Sequence, residues 1–215
     1  MPGSETYAQW TLSGLLLFAY LLGAIPVGLI LNRLFAHDDI RLKGSGNIGA
    51  TNVTRQTGVI PGLLTLAGDI LKGAVPVYMA LVAFGPLGGT TDVYPAAVAL
   101  AAFFGHLFPV YLKFRDGGKG VATAAGCFAV LSPAAVLAAT GVFFVVLVVA
   151  RRVSVGSLSA AAVLPLAVWI DADSAILPAS AGIVALFIFM RHRDNLKRLV
   201  AGKEPQFRLK KRASE

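Results

Sequence analysis

The chain has 215 residues, 56% of them hydrophobic and only 14% charged, with a mean hydropathy of +0.73. A soluble domain carries about 25% charged residues, so this composition excludes an ordinary water-soluble globule. It points to an all-α polytopic membrane bundle in one domain, residues 1–215. The net charge of +8 does not call for nucleic acid, because Lys and Arg also gather on the cytoplasmic face of membrane proteins and meet anionic lipid there.

Met1–Tyr7 is short and polar, with Glu5 but no Lys or Arg, and lacks the basic start of a cleavable signal. Ala8–Leu34 is the clearest transmembrane segment, with Gly23, Pro26 and Gly28 predicting a kink and close helix packing. Phe35–Gly58 is a polar excursion. Val59–Phe84 is apolar but interrupted by Asp69 and Lys72, and Gly85–Asp92 reads as a loop. Val93–Leu112 is a third span and Lys113–Lys119 a loop. Gly120–Leu131 is apolar but has 12 residues, too few to cross about 30 Å of hydrocarbon unless it starts in a vestibule. Ser132-Pro133 punctuates. Ala134–Ala150, Val153–Ile170 and Ala175–Met190 complete about seven transmembrane helices, and Arg191–Glu215 is a basic tail. Cys127 is the single cysteine, so neither an internal disulfide nor a cysteine metal cluster is available. No internal repeat is visible.

Charge tests this layout. With seven spans, Arg41, Lys43, Arg55, Lys113, Arg115, Lys119, Arg151, Arg152 and the tail share one side, and Lys72 lies within a span. The opposite side holds Glu5, Asp92, Asp171 and Asp173 and no basic residue. The positive-inside rule then predicts the N-terminus outside and the C-terminus inside.

Four polar groups fall on the basic side. Ser45-Gly46-Asn47-Ile48-Gly49-Ala50-Thr51-Asn52, with Arg55 beyond, is dense in amides, hydroxyls and backbone N–H groups suited to phosphate, although a surface turn has the same composition. Asp69 and Lys72 share a helix face inside a span, as a functional pair or a structural one. Gly117-Gly118-Lys119-Gly120 precedes an apolar helix and is a candidate anion cradle. It is not a P-loop, and alone it fits a plain turn equally well. His106 at the end of the third span is a candidate ligand or a packed histidine. Arg191–Arg198, with Glu204 just beyond, reads as a lipid-binding basic helix or as part of the site, His192 and Asn195 sharing a face. The three histidines lack metal-site spacing, and neither a metal nor another cofactor is expected. The combined pocket suits a phosphorylated substrate. A small transporter of organic phosphates is the alternative, and a membrane scaffold a third reading. The missing repeat and the one-sided motifs weigh against transport.

The motifs SGNIGATN at 45–52, GHLFPVYLKFRDGGKGVAT at 105–123 and RHRDNLKRLVAGKE at 191–204, with GDILKG at 68–73, resemble those of the bacterial acyl-phosphate-dependent glycerol-3-phosphate acyltransferases, the PlsY family. The resemblance spans nearly the whole chain. It implies a monomeric, multi-pass enzyme of the bacterial plasma (inner) membrane with its site facing the cytoplasm. That enzyme would transfer an acyl group from acyl phosphate to the 1-hydroxyl of sn-glycerol 3-phosphate, giving lysophosphatidate and phosphate in phospholipid biosynthesis. Carried onto this sequence, it implies catalytic roles for Ser45, Asn47, Lys119, His192 and Asn195. It implies substrate or phosphate contacts for Gly46, Thr51, Asn52, Arg55, Asp69, Lys72, His106, Gly117, Gly118, Gly120, Thr123 and Glu204. The His-x-x-x-x-Asp pair of other glycerolipid acyltransferases is absent: Leu42, Tyr111 and Lys197 stand five after the three histidines. A thioester on Cys127 is not expected from a buried thiol without a base. Direct attack is therefore expected, with the proton passing to a substrate phosphate or to His192.

Overall fold

The computed structural model describes residues 2–207, with side chains from residue 7 onward. The basic end of the tail, residues 208–215, lies outside the described residues. Among the described residues there are ten α-helices and no strand. Runs Tyr7–Ala36, Val59–Phe84, Gly89–Leu112, Pro133–Ala150 and Val153–Asp171 are long and apolar enough to cross a bilayer.

The first apolar segment breaks as its proline requires. Helix α1 (Pro2–Ala24) ends, and α2 (Val27–Ala36) begins beyond Ile25-Pro26. Pro26 has no N–H to give and its ring crowds the preceding turn. The break leaves the Ile25 carbonyl without a helical donor, and Lys72 Nζ takes it at 2.9 Å. The helix starts at Pro2, six residues before the apolar run. Proline suits a first helical turn, where its missing N–H costs nothing.

The polar excursion contains a helix that composition did not suggest, α3 (Ala50–Gln56). Helix α4 (Val59–Phe84) has the bounds the apolar pattern predicts. Helix α5 (Val93–Leu107) stops five residues short of the expected Leu112, because Pro109 disfavours helix at Phe108, and a 3-10 turn at Val110–Leu112 follows. Helix α6 (Val121–Leu131) has 11 residues. Helix α7 (Pro133–Ala150) carries its proline at the first position. Helices α8 (Val153–Asp171), α9 (Ile176–Arg191) and α10 (Arg193–Val200) complete the chain. The last two are bent by 56° at His192 and pass as one apolar span only if taken together.

Helix α1 packs on α5, α4 on α6 and α5, and α7 on α8, which packs on α9. The core they enclose centres on Phe103, Leu107 and Phe128, all fully buried. Close approach of α4 and α6 needs glycines on both. A Cβ at Gly126 would sit 2.0 Å from the Ile70 carbonyl oxygen, and one at Gly73 2.3 Å from that of Thr123.

Contacts sort the connections into two ends. At one, Arg41 reaches Asp116, Arg191 reaches Gly117 and Gly118, Lys119 reaches Asn195 and Arg152 reaches the Glu204 carbonyl. At the other, Ser174 donates to Asp92 and Ser132 to Asp171. Helix α6 joins the two ends although its 11 residues rise only about 16 Å. Its N-terminus, and Lys119 before it, therefore lie sunk within the bundle at the basic end.

Candidate active site

The loop Lys113–Gly120 is folded from several sides. Lys113, Phe114 and Asp116 have φ of 54°, 62° and 55°, left-handed values that are unfavourable for residues with a Cβ. Gly120, at φ 83°, starts α6 and packs where a Cβ would meet the Phe103 ring at 2.3 Å. The Gly118 N–H donates to the His106 carbonyl at 3.1 Å, and a Cβ at Gly118 would strike His106 Nε2 at 1.9 Å. Part of the expected backbone cradle is thus already paired within the protein. The remaining edge is the half-buried start of α6, whose first N–H groups have no helical partner.

Lys119 Nζ donates to Asn195 Oδ1 at 2.5 Å, and Asn195 Nδ2 donates to Glu204 Oε1 at 2.6 Å. Arg198 Nε holds the other Glu204 oxygen at 2.8 Å. Burial raises the Glu204 pKa, but the Ser154, Asn195 and Arg198 groups facing the carboxylate outweigh it and hold it below its usual value. Burial lowers the Lys119 ammonium to about 8. Glu204 opposes that shift, while Arg198, Arg55 and Arg191 add to it. Three arginines and one carboxylate thus surround a half-buried lysine, an excess of positive charge suited to an anion.

His192 sits at the α9–α10 bend, 2% exposed, with Nδ1 2.8 Å from the Ile188 carbonyl oxygen. A carbonyl only accepts, so Nδ1 carries the proton. Burial, and next the Lys119 charge, lower the ring's pKa to about 4, so it is neutral near pH 7 with Nε2 as its acceptor.

The first motif is organised by Asn52, 3% exposed. Its Oδ1 accepts from the Ser45 N–H at 3.1 Å, and its Nδ2 donates to the Asn47 and Lys43 carbonyls at 2.9 and 3.1 Å. Asn47 Oδ1 accepts from the Gly49 N–H at 2.9 Å. Ser45 and Arg55 are exposed, whereas Gly46 and Thr51 are half-buried. A Cβ at Gly28 would lie 1.9 Å from the Ile48 carbonyl oxygen, so α2 presses directly on this loop.

Below Gly117 and Gly118 lies a buried cluster. Lys72 Nζ is 2.9 Å from Asp69 Oδ1, and His106 Nδ1 is 3.6 Å from the same oxygen, beyond hydrogen-bonding distance. Thr123 is fully buried against α4, its hydroxyl without a partner among the described residues.

The structure therefore brings Lys119, His192, Asn195, Arg55 and Glu204 together, sets Asp69, Lys72 and His106 beneath them, and buries Asn52 and Thr123. Sequence reasoning gave no individual role to Arg191, which donates to the Gly118 carbonyl at 3.1 Å and to that of Gly117. It also missed Arg41, which forks onto Asp39 and reaches Asp116 Oδ2 at 3.2 Å, and the buried Asn32, which bonds Asp38 and Thr57. Arg41 holds the Asp39 carboxyl at about 2.

A multi-pass helix bundle with a basic, carboxylate-poor mouth at one end is an integral membrane protein built to receive anionic substrate. The glycerol-3-phosphate acyltransferase family model matches residues 13–202, and the chain belongs to that family. The glycerol-3-phosphate acyltransferase of Syntrophotalea carbinolica is 51% identical, over 90% of this chain and 96% of its own. That of Geobacter sulfurreducens is 45% identical, over 88% and 94%. The crystal structure of PlsY (YgiH), an integral membrane glycerol 3-phosphate acyltransferase in its glycerol 3-phosphate form, superposes with a TM-score of 0.86 at 36% identity, covering 92% of this chain and 96% of that one. Its lysophosphatidic acid form gives 0.83 at 35%.

Proposed function

We propose that the protein transfers an acyl group from acyl phosphate to the 1-hydroxyl of sn-glycerol 3-phosphate, releasing lysophosphatidate and inorganic phosphate. The observation that carries this reading is the cation set around Lys119, which matches a reaction whose substrates both bear phosphate. The substrate hydroxyl attacks the acyl carbonyl carbon directly, and the bond from that carbon to the phosphate oxygen breaks. Lys119 and the start of α6 stabilise charge on the departing phosphate. Ser45 and Asn47 orient substrate oxygens, with Gly46 and Thr51 beside them. His192 and Asn195 position the glycerol phosphate, and Arg55 and Lys72 add positive charge. The hydroxyl proton goes to the leaving phosphate. A His192 ring held near 4 is a poor base at pH 7, which favours the substrate as acceptor.

The enzyme works as one domain and as a monomer in the bacterial plasma membrane. Seven segments cross, with the N-terminus outside and the basic mouth in the cytoplasm, in keeping with the placement of every Lys and Arg outside the spans.

The test uses purified protein in detergent with acyl phosphate and glycerol 3-phosphate. Lysophosphatidate and phosphate should appear one for one, with no labelled protein when the acceptor is omitted. Product from acyl thioesters but not acyl phosphate would overturn the donor, and an acylated protein would overturn direct attack. For topology, thiol labelling of Lys203→Cys should occur only from the cytoplasmic side of oriented vesicles.

A further inference from the structure

We propose that Arg191 is a positioning residue whose guanidinium fork sets the backbone direction of the Gly117–Lys119 loop. This rests on the reading of that loop as a phosphate cradle.

A basic residue in the last turn of a helix ordinarily serves its own helix, bonding the last carbonyls. Arg191 ends α9, but its Nε and Nη2 cross to the Gly118 and Gly117 carbonyls, 73 and 74 positions away. Those two residues have no side chains by which the loop could be held. Added ones would collide: a Cβ at Gly117 would lie 2.0 Å from the Leu107 carbonyl oxygen. The three left-handed residues just upstream show that the loop holds backbone conformations its own residues disfavour. Its shape must come from outside anchors. The His106 carbonyl takes the Gly118 N–H, Arg41 reaches the Asp116 carboxylate and Asn195 takes Lys119 Nζ. Of the anchors only Arg191 takes the two glycine carbonyls.

The consequence follows from peptide geometry. In a planar trans peptide the N–H points opposite to the C=O. Holding the Gly118 oxygen against Arg191 therefore aims the Lys119 N–H the other way. A cation on these carbonyls also polarises the Gly118–Lys119 amide, which strengthens the Lys119 N–H as a donor to an anion, the Gly118 N–H being taken by the His106 carbonyl. A lysine cannot repeat this, because one ammonium has no planar fork.

The experiment compares Arg191→Lys and Arg191→Met in detergent, measuring kcat and KM for glycerol 3-phosphate, melting midpoint and pH profile. Arg191→Lys should stay folded with a wild-type melting midpoint yet lose about ten- to a hundred-fold in kcat/KM, the effect of a small misplacement. The alkaline limb adds a readout that a purely structural role would not move. Lys119 is faced by Glu204, Arg198, Arg55, Arg191 and His192, and the Arg191 charge helps to depress its pKa. Arg191→Met should shift the limb to higher pH, and Arg191→Lys should leave it in place. Wild-type kcat/KM in Arg191→Lys, or an unmoved limb in a folded Arg191→Met, overturns the proposal. If the Met variant does not fold, the Lys variant decides. Lys119→Ala separates the failures. Full activity there overturns the cradle itself, whereas an inactive Lys119→Ala beside a fully active Arg191→Lys overturns only the role given to Arg191.

Discussion

Lys119 Nζ lies 2.5 Å from Asn195 Oδ1, joining residues 76 positions apart. The amide's orientation is fixed by chemistry, since Lys119 can only donate and the Glu204 carboxylate on its other side can only accept. With its pKa near 8, Lys119 loses charge just above physiological pH. A bound phosphate dianion would restore it. Affinity for glycerol 3-phosphate should therefore fall as pH rises through about 8, and binding at pH 8–8.5 should take up protons. A phosphate monoester is already a dianion there, its second pKa being about 6, so it does not contribute. Calorimetry in two buffers of different ionisation enthalpy measures the uptake. Lys119→Arg should abolish it, and binding without uptake in the wild type would place the lysine away from the phosphate.

His192 makes a separate prediction. Its folded pKa of about 4 lies below the ordinary value of 6.5. The unfolded chain therefore binds the proton first as pH falls, and the native state loses stability between about 6.5 and 4. Each pH unit in that window costs at most about 1.4 kcal/mol. Melting curves at pH 7 and pH 5 should show a larger drop in wild type than in His192→Gln. The same variant tests catalysis. If His192 is not the base, the acid side of its kcat profile should match the wild type even where the rate is reduced.

Much of this fold is legible in the sequence because hydrocarbon imposes one pattern on every span. Val59–Phe84 and the start of the helix at Val153 follow directly from composition, and Pro26 marks the α1–α2 break. The glycine, amide and basic motifs likewise stand out against an apolar background. The pairings do not. Arg191 reads as one basic residue in a basic tail, and its hold on Gly117 and Gly118 depends on α9 ending beside a loop more than 70 positions away. Arg41–Asp116 and Lys119–Asn195 are of the same kind. Asn52 reads as a substrate amide, yet its polar atoms are taken by Ser45, Asn47 and Lys43, a choice made by the local turn.

The α4–α6 seam gives a packing prediction with an internal control. Gly126 faces the Ile70 carbonyl with no room for a methyl group, and backbone cannot move aside as a side chain can. Gly126→Ala should separate the helices, lowering the melting midpoint and the activity together. Gly141, on α7, has nothing within 4 Å of the place a methyl group would occupy. Gly141→Ala should be neutral or stabilising by up to about 1 kcal/mol through helix propensity. Equal melting midpoints for the two variants would show that the seam is looser than its geometry.

Asp69 and Lys72, 3% and 4% exposed, allow stability and function to be separated. Removing one partner of a buried pair leaves an uncompensated charge and costs about 3–5 kcal/mol, whereas replacing both is often neutral. Asp69→Asn and Lys72→Met alone should each lower the melting midpoint sharply. The double variant should recover most of it, since the new amide keeps a polar group beside His106 and the new thioether chain matches the lysine stem in bulk. Lys72 also ties the α1–α2 break through the Ile25 carbonyl, so part of the loss will persist. Turnover then decides the role of the pair. If Lys72 serves the substrate, the double variant will be folded but slow. If the pair only braces the floor beneath Gly118, turnover will return with the melting midpoint.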